Sequence, residues 1–236
     1  MKKNILLLGG SSEIGLDVIE IFLKKDWHVH AHYNKKNIEL KKVQSKNKML
    51  SLYKANFVNI AEVKKFIQKI SRKNICSVVN MVGYIDNVSY EKNNIKSLIK
   101  SLTINTLVPL QIQKGLLSYM SKIKFGRILN VSSIGVKYGG GESTYNYSFS
   151  KHALEFIPSS LRKLASKNIF CNTLRVGFVN TKLQKKIKGK NIKKRIQMIP
   201  AKRSASKNEI SQTIFYLSSE KNTYITNEKI TIAGGE

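Results

Sequence analysis

The chain has 236 residues, with 42 Lys and Arg against 14 Asp and Glu and a formal net charge of +28. That length suits one α/β domain with a full core, and 42% hydrophobic residues with only three Pro exclude a disordered chain. No apolar run approaches the roughly 18 residues of a membrane span. The opening M-K-K-N-I-L-L-L-G-G has a basic head, but its apolar run is too short for a signal peptide and leads into a Gly-rich turn. Cys76 and Cys171 lie in strand-like apolar runs without metal-ligand spacing, so two buried thiols and a cytoplasmic home are expected. The charge invites a polyanion as partner. Lys is nevertheless spread over every segment, Arg is scarce, and no basic tail or aromatic-interleaved basic patch occurs, so no nucleic acid is expected.

Asn4–Leu8 is a continuous apolar run, as in a parallel strand buried on both faces. Gly9-Gly10-Ser11-Ser12-Glu13-Ile14-Gly15 follows, and residues 16–25 read as helix with Val18, Ile21 and Phe22 on one face. Strand, Gly-rich turn and helix form the setting of a dinucleotide site. Gly9 permits the tight turn and Gly15 a close approach. The amides of Ser11, Ser12 and Ile14, with the helix dipole, would hold a pyrophosphate. A second strand is predicted at 29–33. Its end, H-Y-N-K-K, has no Asp or Glu to grip a ribose 2′-hydroxyl. Asn34 and Lys35, with His32, are candidates to meet a 2′-phosphate instead, so NADP(H) is expected over NAD(H).

Residues 49–53 and 77–81 read as the third and fourth strands, with a core stripe of Ala61, Val63, Phe66, Ile67 and Ile70 between them. Residues 95–119 carry one long helical periodicity, which Asn105 interrupts; a backbone-bonding Asn is one account of it. The chemistry-bearing stretch is 126–151: a buried strand at 127–131, a Gly-rich loop and a helix start. Tyr147 and Lys151 are four apart and share a helix face. A Lys⁺ one turn away favours the phenolate and lowers the Tyr pKa from about 10. Tyr147 is then a general acid for a carbonyl oxygen, or a base for an alcohol. Ser133 ends the strand and can donate to the same oxygen, with Ser132 as its rival. Tyr145 competes with Tyr147 but has Phe149, not Lys, four residues on. Ile169–Val176 is the sixth strand. The stretch 182–203 then holds ten basic residues and no acidic one, with Leu183, Ile187, Ile192, Ile196 and Ile199 interleaved. A helix opens at Asn208-Glu209 with Ile210, Ile214, Phe215 and Leu217 inward, and 230–232 is the last strand. Neither a linker nor a repeat beyond the βα alternation is present, so 1–236 is expected to be one domain.

In this order of strand, Ser, loop and Tyr-x-x-x-Lys the chain resembles the short-chain dehydrogenase/reductases, close to the group that includes the β-ketoacyl carrier-protein reductases. The resemblance runs from about Asn4 to Gly235. It implies a nicotinamide cofactor and a catalytic set of Ser133, Tyr147 and Lys151 with a supporting Asn105, which would hold a water in a proton relay. Lys151 would also bind the nicotinamide ribose. Counting along the strand favours Ser133, but the loop to Tyr147 is a residue longer than in the family, which keeps Ser132 open. The resemblance further implies Asn56 at the adenine edge, Asn80 of N-M-V-G stabilising the sheet, and Gly83 leaving room for the adenosine ribose. In R-V-G-F-V-N-T it places Gly177, the Val179 backbone and the Thr181 hydroxyl at the nicotinamide carboxamide. It makes about 182–205 a lid over substrate, and the 95–119 and Tyr147 helices a subunit interface of a homodimer or homotetramer. Two departures stand out: Glu13 replaces the family's middle Gly, and Val176 replaces a Pro.

Gly9, Asn80, Ser133 and Gly177 each follow the end of a different strand, and ligands of doubly wound sheets bind at those carboxyl ends. The expected fold is therefore a single-domain Rossmann-type α/β protein with a doubly wound parallel sheet. The expected activity is NADP(H)-dependent hydride transfer to a carbonyl or from a secondary alcohol. An anionic substrate such as a 3-oxoacyl thioester, on a carrier protein or coenzyme A, suits the basic lid. A keto sugar or nucleotide sugar is the alternative substrate. A non-catalytic NADP-binding regulatory protein, or a nucleic-acid binder, is the alternative of another class.

Overall fold

The structure, a computed structural model, describes residues 3–35, 38–189 and 191–236. Seven strands among them form one parallel sheet: β1 (Asn4–Leu8), β2 (His28–Tyr33), β3 (Leu50–Lys54), β4 (Ser77–Asn80), β5 (Gly126–Ser133), β6 (Ile169–Val176) and β7 (Lys229–Ile232). Their order is β3-β2-β1-β4-β5-β6-β7. β1 is buried along its whole length. Ile5 and Leu7 enter the core on one face of the sheet and Leu6 and Leu8 the core on the other, as the two-residue period requires.

The helices supply the two outer layers. On the first face lie α1 (Glu13–Leu23), α2 (Ile38–Ser45) and α10 (Lys207–Ser218), which contribute Val18, Phe22, Leu40, Ile210 and Phe215. On the second lie α3 (Ile60–Ser71) and α5 (Val108–Ile123), which contribute Phe66, Ile70, Leu116 and Met120. α4 (Ile95–Leu102) leads into α5 and packs with α6 (Tyr145–Leu154), which lies against β5. The short α7 (Ser159–Lys163) precedes β6, and α8 (Lys182–Lys185) and α9 (Ile192–Met198) follow it. Among the described residues, no helix is long and apolar enough to cross a membrane.

β1 pairs with β2 on one side and β4 on the other, so the winding reverses between β1 and β4. A crevice opens at the carboxyl ends of the strands at such a switch point. The seven predicted strands and the doubly wound parallel sheet agree with what is observed. Two elements differ. The single helix expected over 95–119 is broken by a π-helical turn, Thr103–Leu107, between α4 and α5. The segment 182–203 holds two short helices, with Leu183, Ile187, Ile192 and Ile196 half-buried, Ile199 buried, and Lys182, Lys185, Lys186, Lys188, Lys193 and Lys194 exposed.

Candidate active site

The turn after β1 is built from backbone. Gly9 has φ +81°, and a Cβ on it would meet the Met81 and Val82 backbone at 3.1 Å. A Cβ on Gly15 would lie 2.7 Å from the Gly10 carbonyl oxygen. Ser12 caps α1 by accepting from the Gly15 N–H at 3.0 Å, and Ser11 and Ile14 flank this cap. The helix therefore starts at Glu13, three residues before the apolar stripe suggests. Glu13, the departure from the family's Gly, leaves the helix start intact. Its side chain reaches across the crevice, where Oε2 accepts the Lys182 N–H at 2.6 Å, at the start of α8.

His32 does not serve as expected. It is buried, with Nδ1 accepting from the Gly9 N–H at 3.2 Å and Nε2–H donating to the Ala55 carbonyl at 3.0 Å. Burial pulls its pKa down to about 4, against a smaller upward pull from the Ala55 bond. A neutral, doubly engaged imidazole cannot grip a phosphate. Asn34 and Lys35 stand exposed just past β2. Asn56, past the end of β3, is half-buried and turns Oδ1 onto the Val58 N–H.

At the end of β5 the two serines face opposite ways. Ser132 donates to Glu155 Oε1 at 2.8 Å, away from the phenol, whereas Ser133 Oγ accepts the Gly135 N–H at 3.2 Å on the Tyr147 side. Burial pushes the Tyr147 pKa up to about 12, and the nearby Ser133 hydroxyl opposes that rise. The expected lowering by Lys151 is absent. Lys151 is itself buried, donates Nζ–H bonds of 2.7 Å to the carbonyls of Val82 and Val131, and lies 5.9 Å from the centre of the Tyr147 ring. Desolvation draws its pKa down to about 7, so near neutrality it carries only part of a charge. Tyr145 points elsewhere, edge-on to Tyr90 at 5.0 Å.

Asn105 sits in the π turn with no exposed surface. Its Oδ1 accepts the Tyr84 N–H at 2.7 Å, and its Nδ2 donates to the Tyr84 carbonyl at 3.0 Å and to Ser150 Oγ at 2.9 Å. The side chain thus ties the loop after β4 to α6, and the widened turn is what lets it reach both. Its carbonyl accepts from Asn80 Nδ2 at 3.3 Å, while Asn80 Oδ1 accepts the Val82 N–H. A Cβ on Gly83 would meet only Leu183 of α8 at 3.4 Å and the Tyr147 ring at 3.8 Å, so this glycine borders the phenol. Gly177 is needed for packing, since its Cβ would meet Ala233 Cα at 2.6 Å. Val179 bridges to Ala205, and Thr181 is buried at the start of α8.

Glu155 and Arg175 are part of this site's support and were not anticipated. Arg175 grips Glu155 through Nε at 2.8 Å and Nη2 at 2.6 Å, and Ser132 adds the third bond. Burial raises the Glu155 pKa, but the hydrogen bonds and charge of Arg175, with Ser132, more than reverse it. The signal available in the sequence was spacing: Glu155 stands four residues after Lys151, as Lys151 does after Tyr147.

A family model described as enoyl-(acyl carrier protein) reductase matches residues 9–236. The chain belongs to the short-chain dehydrogenase/reductases. Among relatives of this short-chain dehydrogenase/reductase, the 3-oxoacyl-(acyl-carrier-protein) reductase FabG of Thermotoga maritima is 26% identical over 239 residues, covering 99% of this chain and 97% of the relative. FabG of Buchnera aphidicola subsp. Schizaphis graminum is 34% identical over 157 residues, 66% of this chain and 61% of that protein. The solved structure of ElxO with NADP bound is 27% identical, covers 100% of this chain and 98% of its own, and superposes with a TM-score of 0.85. The observed sheet, flanked on both faces, is the Rossmann-like arrangement of this oxidoreductase family.

Proposed function

We propose that this short-chain dehydrogenase/reductase reduces a carbonyl to a secondary alcohol with NADPH, and that Tyr147 gives the proton. The observation that carries it is the placing of Ser133, Tyr147 and Lys151 together at the carboxyl edge of the sheet, beside a phosphate-type turn. The turn fits a dinucleotide on its own geometry. Gly9 and Gly15 leave no room for a Cβ against neighbouring backbone, so the turn stays tight, and α1 opens its amides there for a pyrophosphate. Asn34 and Lys35 would meet the 2′-phosphate, Asn56 the adenine edge, and Gly83 would leave room for the ribose. Val179 and Thr181 would hold the carboxamide. The nicotinamide supplies the hydride when bound.

The protein's part is placement and proton handling. Ser133 donates a hydrogen bond to the carbonyl oxygen. Tyr147, whose phenol desolvation favours in the protonated form, adds its proton to that oxygen as negative charge develops there. Lys151, fixed by two carbonyls, supplies positive charge near the phenol and a donor for ribose hydroxyls. Asn105 acts through position, locking the Tyr84 loop and α6 in register.

An anionic substrate, such as a 3-oxoacyl thioester on a carrier protein or coenzyme A, is favoured by the basic lid over 182–203. Its exposed lysines face solvent beside the crevice and would steer an acidic carrier towards it. The two free, buried cysteines suit a reducing, cytoplasmic setting. A homodimer or homotetramer is favoured by apolar side chains left exposed on the α4–α6 side: Ile95, Ile99, Leu107, Phe149 and Phe156. The test is NADPH oxidation over a panel of 3-oxoacyl thioesters, keto sugars and neutral ketones. Turnover confined to the thioesters supports the full assignment; turnover on none of the panel contradicts it.

A further inference from the structure

Successive odd and even positions of a strand face opposite ways, so His28, His30 and His32 of β2 share one face. His30 and His32 are both buried with both ring nitrogens engaged, but His30 bonds the side chains of Tyr53 and Asn4, whereas His32 bonds backbone of the turns after β1 and β3. The His32 Nδ1 takes the N–H of Gly9, in the first turn of the Gly-rich loop, and Nε2–H donates to the carbonyl of Ala55, next to Asn56. The His32 carbonyl takes a second amide of the same turn, that of Gly10, at 2.9 Å. The ring is stacked on Phe57 at 4.1 Å and 11°, and Phe66 meets it edge-on at 5.4 Å. One rigid imidazole therefore joins the phosphate turn after β1 to the adenine-side loop after β3.

We infer that His32 is a positioning residue for the dinucleotide, setting the Gly9–Gly10 turn and the Ala55–Asn56 loop at the spacing that the pyrophosphate and adenine ends require. This rests on the cofactor assignment above. The ring is suited to it because its neutral form offers one acceptor and one donor in opposite directions. An acceptor-free side chain of similar shape would keep the stack on Phe57 but leave a buried N–H and a buried carbonyl unpaired.

The test is calorimetric titration of NADP⁺, and of adenosine 2′,5′-bisphosphate, into the wild-type protein, His32→Phe and His32→Asn, with melting temperatures measured beside. The wild type binds both ligands. His32→Phe loses about tenfold in affinity for each, the size of one hydrogen bond's contribution. His32→Asn, whose Oδ1 can still accept the Gly9 N–H, stays within about threefold. In steady-state kinetics the loss in His32→Phe falls on the KM for NADPH rather than on kcat. If His32→Phe does not fold, His32→Leu is read in the same way. A folded His32→Phe that binds both ligands as the wild type does overturns the inference, and so does a His32→Asn that loses as much as His32→Phe. A wild-type protein that binds neither ligand overturns it together with the cofactor assignment.

Discussion

At the scale of single residues, the pairing of Tyr147 with Lys151 was legible from their spacing, because a helix turn fixes which side chains are neighbours. Its electrostatics were not, because they depend on burial. A Lys sealed at the end of β5 gives up much of its own charge before it can influence a phenol, and its pKa falls to about 7. The kcat/KM for carbonyl reduction should therefore decline as pH rises through about 7, since the free enzyme loses the Lys151 proton there. Lys151→Arg should move that decline to higher pH, and a pH profile of both proteins checks it. The choice between Ser132 and Ser133 was also beyond the sequence. Alternation says that they face opposite sides, but only the position of α6 and Glu155 says which side holds the phenol. Lys35 carries a second prediction. Lys35→Ala should reduce the preference for NADPH over NADH by about tenfold, the worth of one charge-assisted contact. Equal kcat/KM ratios for the two cofactors before and after the change would contradict it.

At the scale of elements, the strands were read within a residue or two, because continuous apolar runs between Gly-rich turns have few alternatives. The break in the long helix was read only as an interruption. Nothing local announces a π turn; it is set by Asn105 reaching Tyr84 and Ser150, partners that lie 21 and 45 residues away. The lid's amphipathic character was legible, and its anchoring was not. Glu13 accepts the first amide of α8 from a distance of 169 residues, and Asn87 and Ser143 bond the Lys188 backbone. Glu13→Gly should release this end of the lid, while Glu13→Gln, which keeps an acceptor, should not. Limited trypsin digestion checks this by the rate of cleavage at the lysines of 182–203; equal rates in all three proteins would contradict the anchor. Changing Lys185, Lys186, Lys193 and Lys194 together to Gln should lower kcat/KM on a carrier-bound thioester and flatten its salt dependence, with little effect on a neutral ketone. Exposed charges act over a Debye length of about 10 Å at 0.1 M salt, so ionic strength separates the two substrates.

At the scale of the whole molecule, the net charge of +28 said little about the fold, which the alternation of strands and helices determined. Its histidines bear on stability. Burial, aided by His28 and Lys73, pulls His30 down to about 3, and burial pulls His32 down to about 4. In the unfolded chain both titrate near 6.5, so below that pH the unfolded state takes up protons first. Their contribution to stability is complete above about pH 6.5 and is lost as pH falls through 4 and then 3. For His32 the loss between pH 6.5 and 5 is on the order of 2 kcal/mol. Urea midpoints should drop across that interval, above the range in which Glu155, Glu209 and Glu220, all held below the usual carboxylate pKa, begin to protonate. The central claim is proton transfer by Tyr147 in an NADPH-dependent reduction, and its most direct test is single-turnover NADPH oxidation by wild type and Tyr147→Phe on a 3-oxoacyl thioester, with cofactor affinity measured in parallel. The variant should bind NADPH as the wild type does and react about 10²- to 10⁴-fold more slowly, the usual range for a lost general acid. A Tyr147→Phe protein that turns over near the wild-type rate would contradict the account.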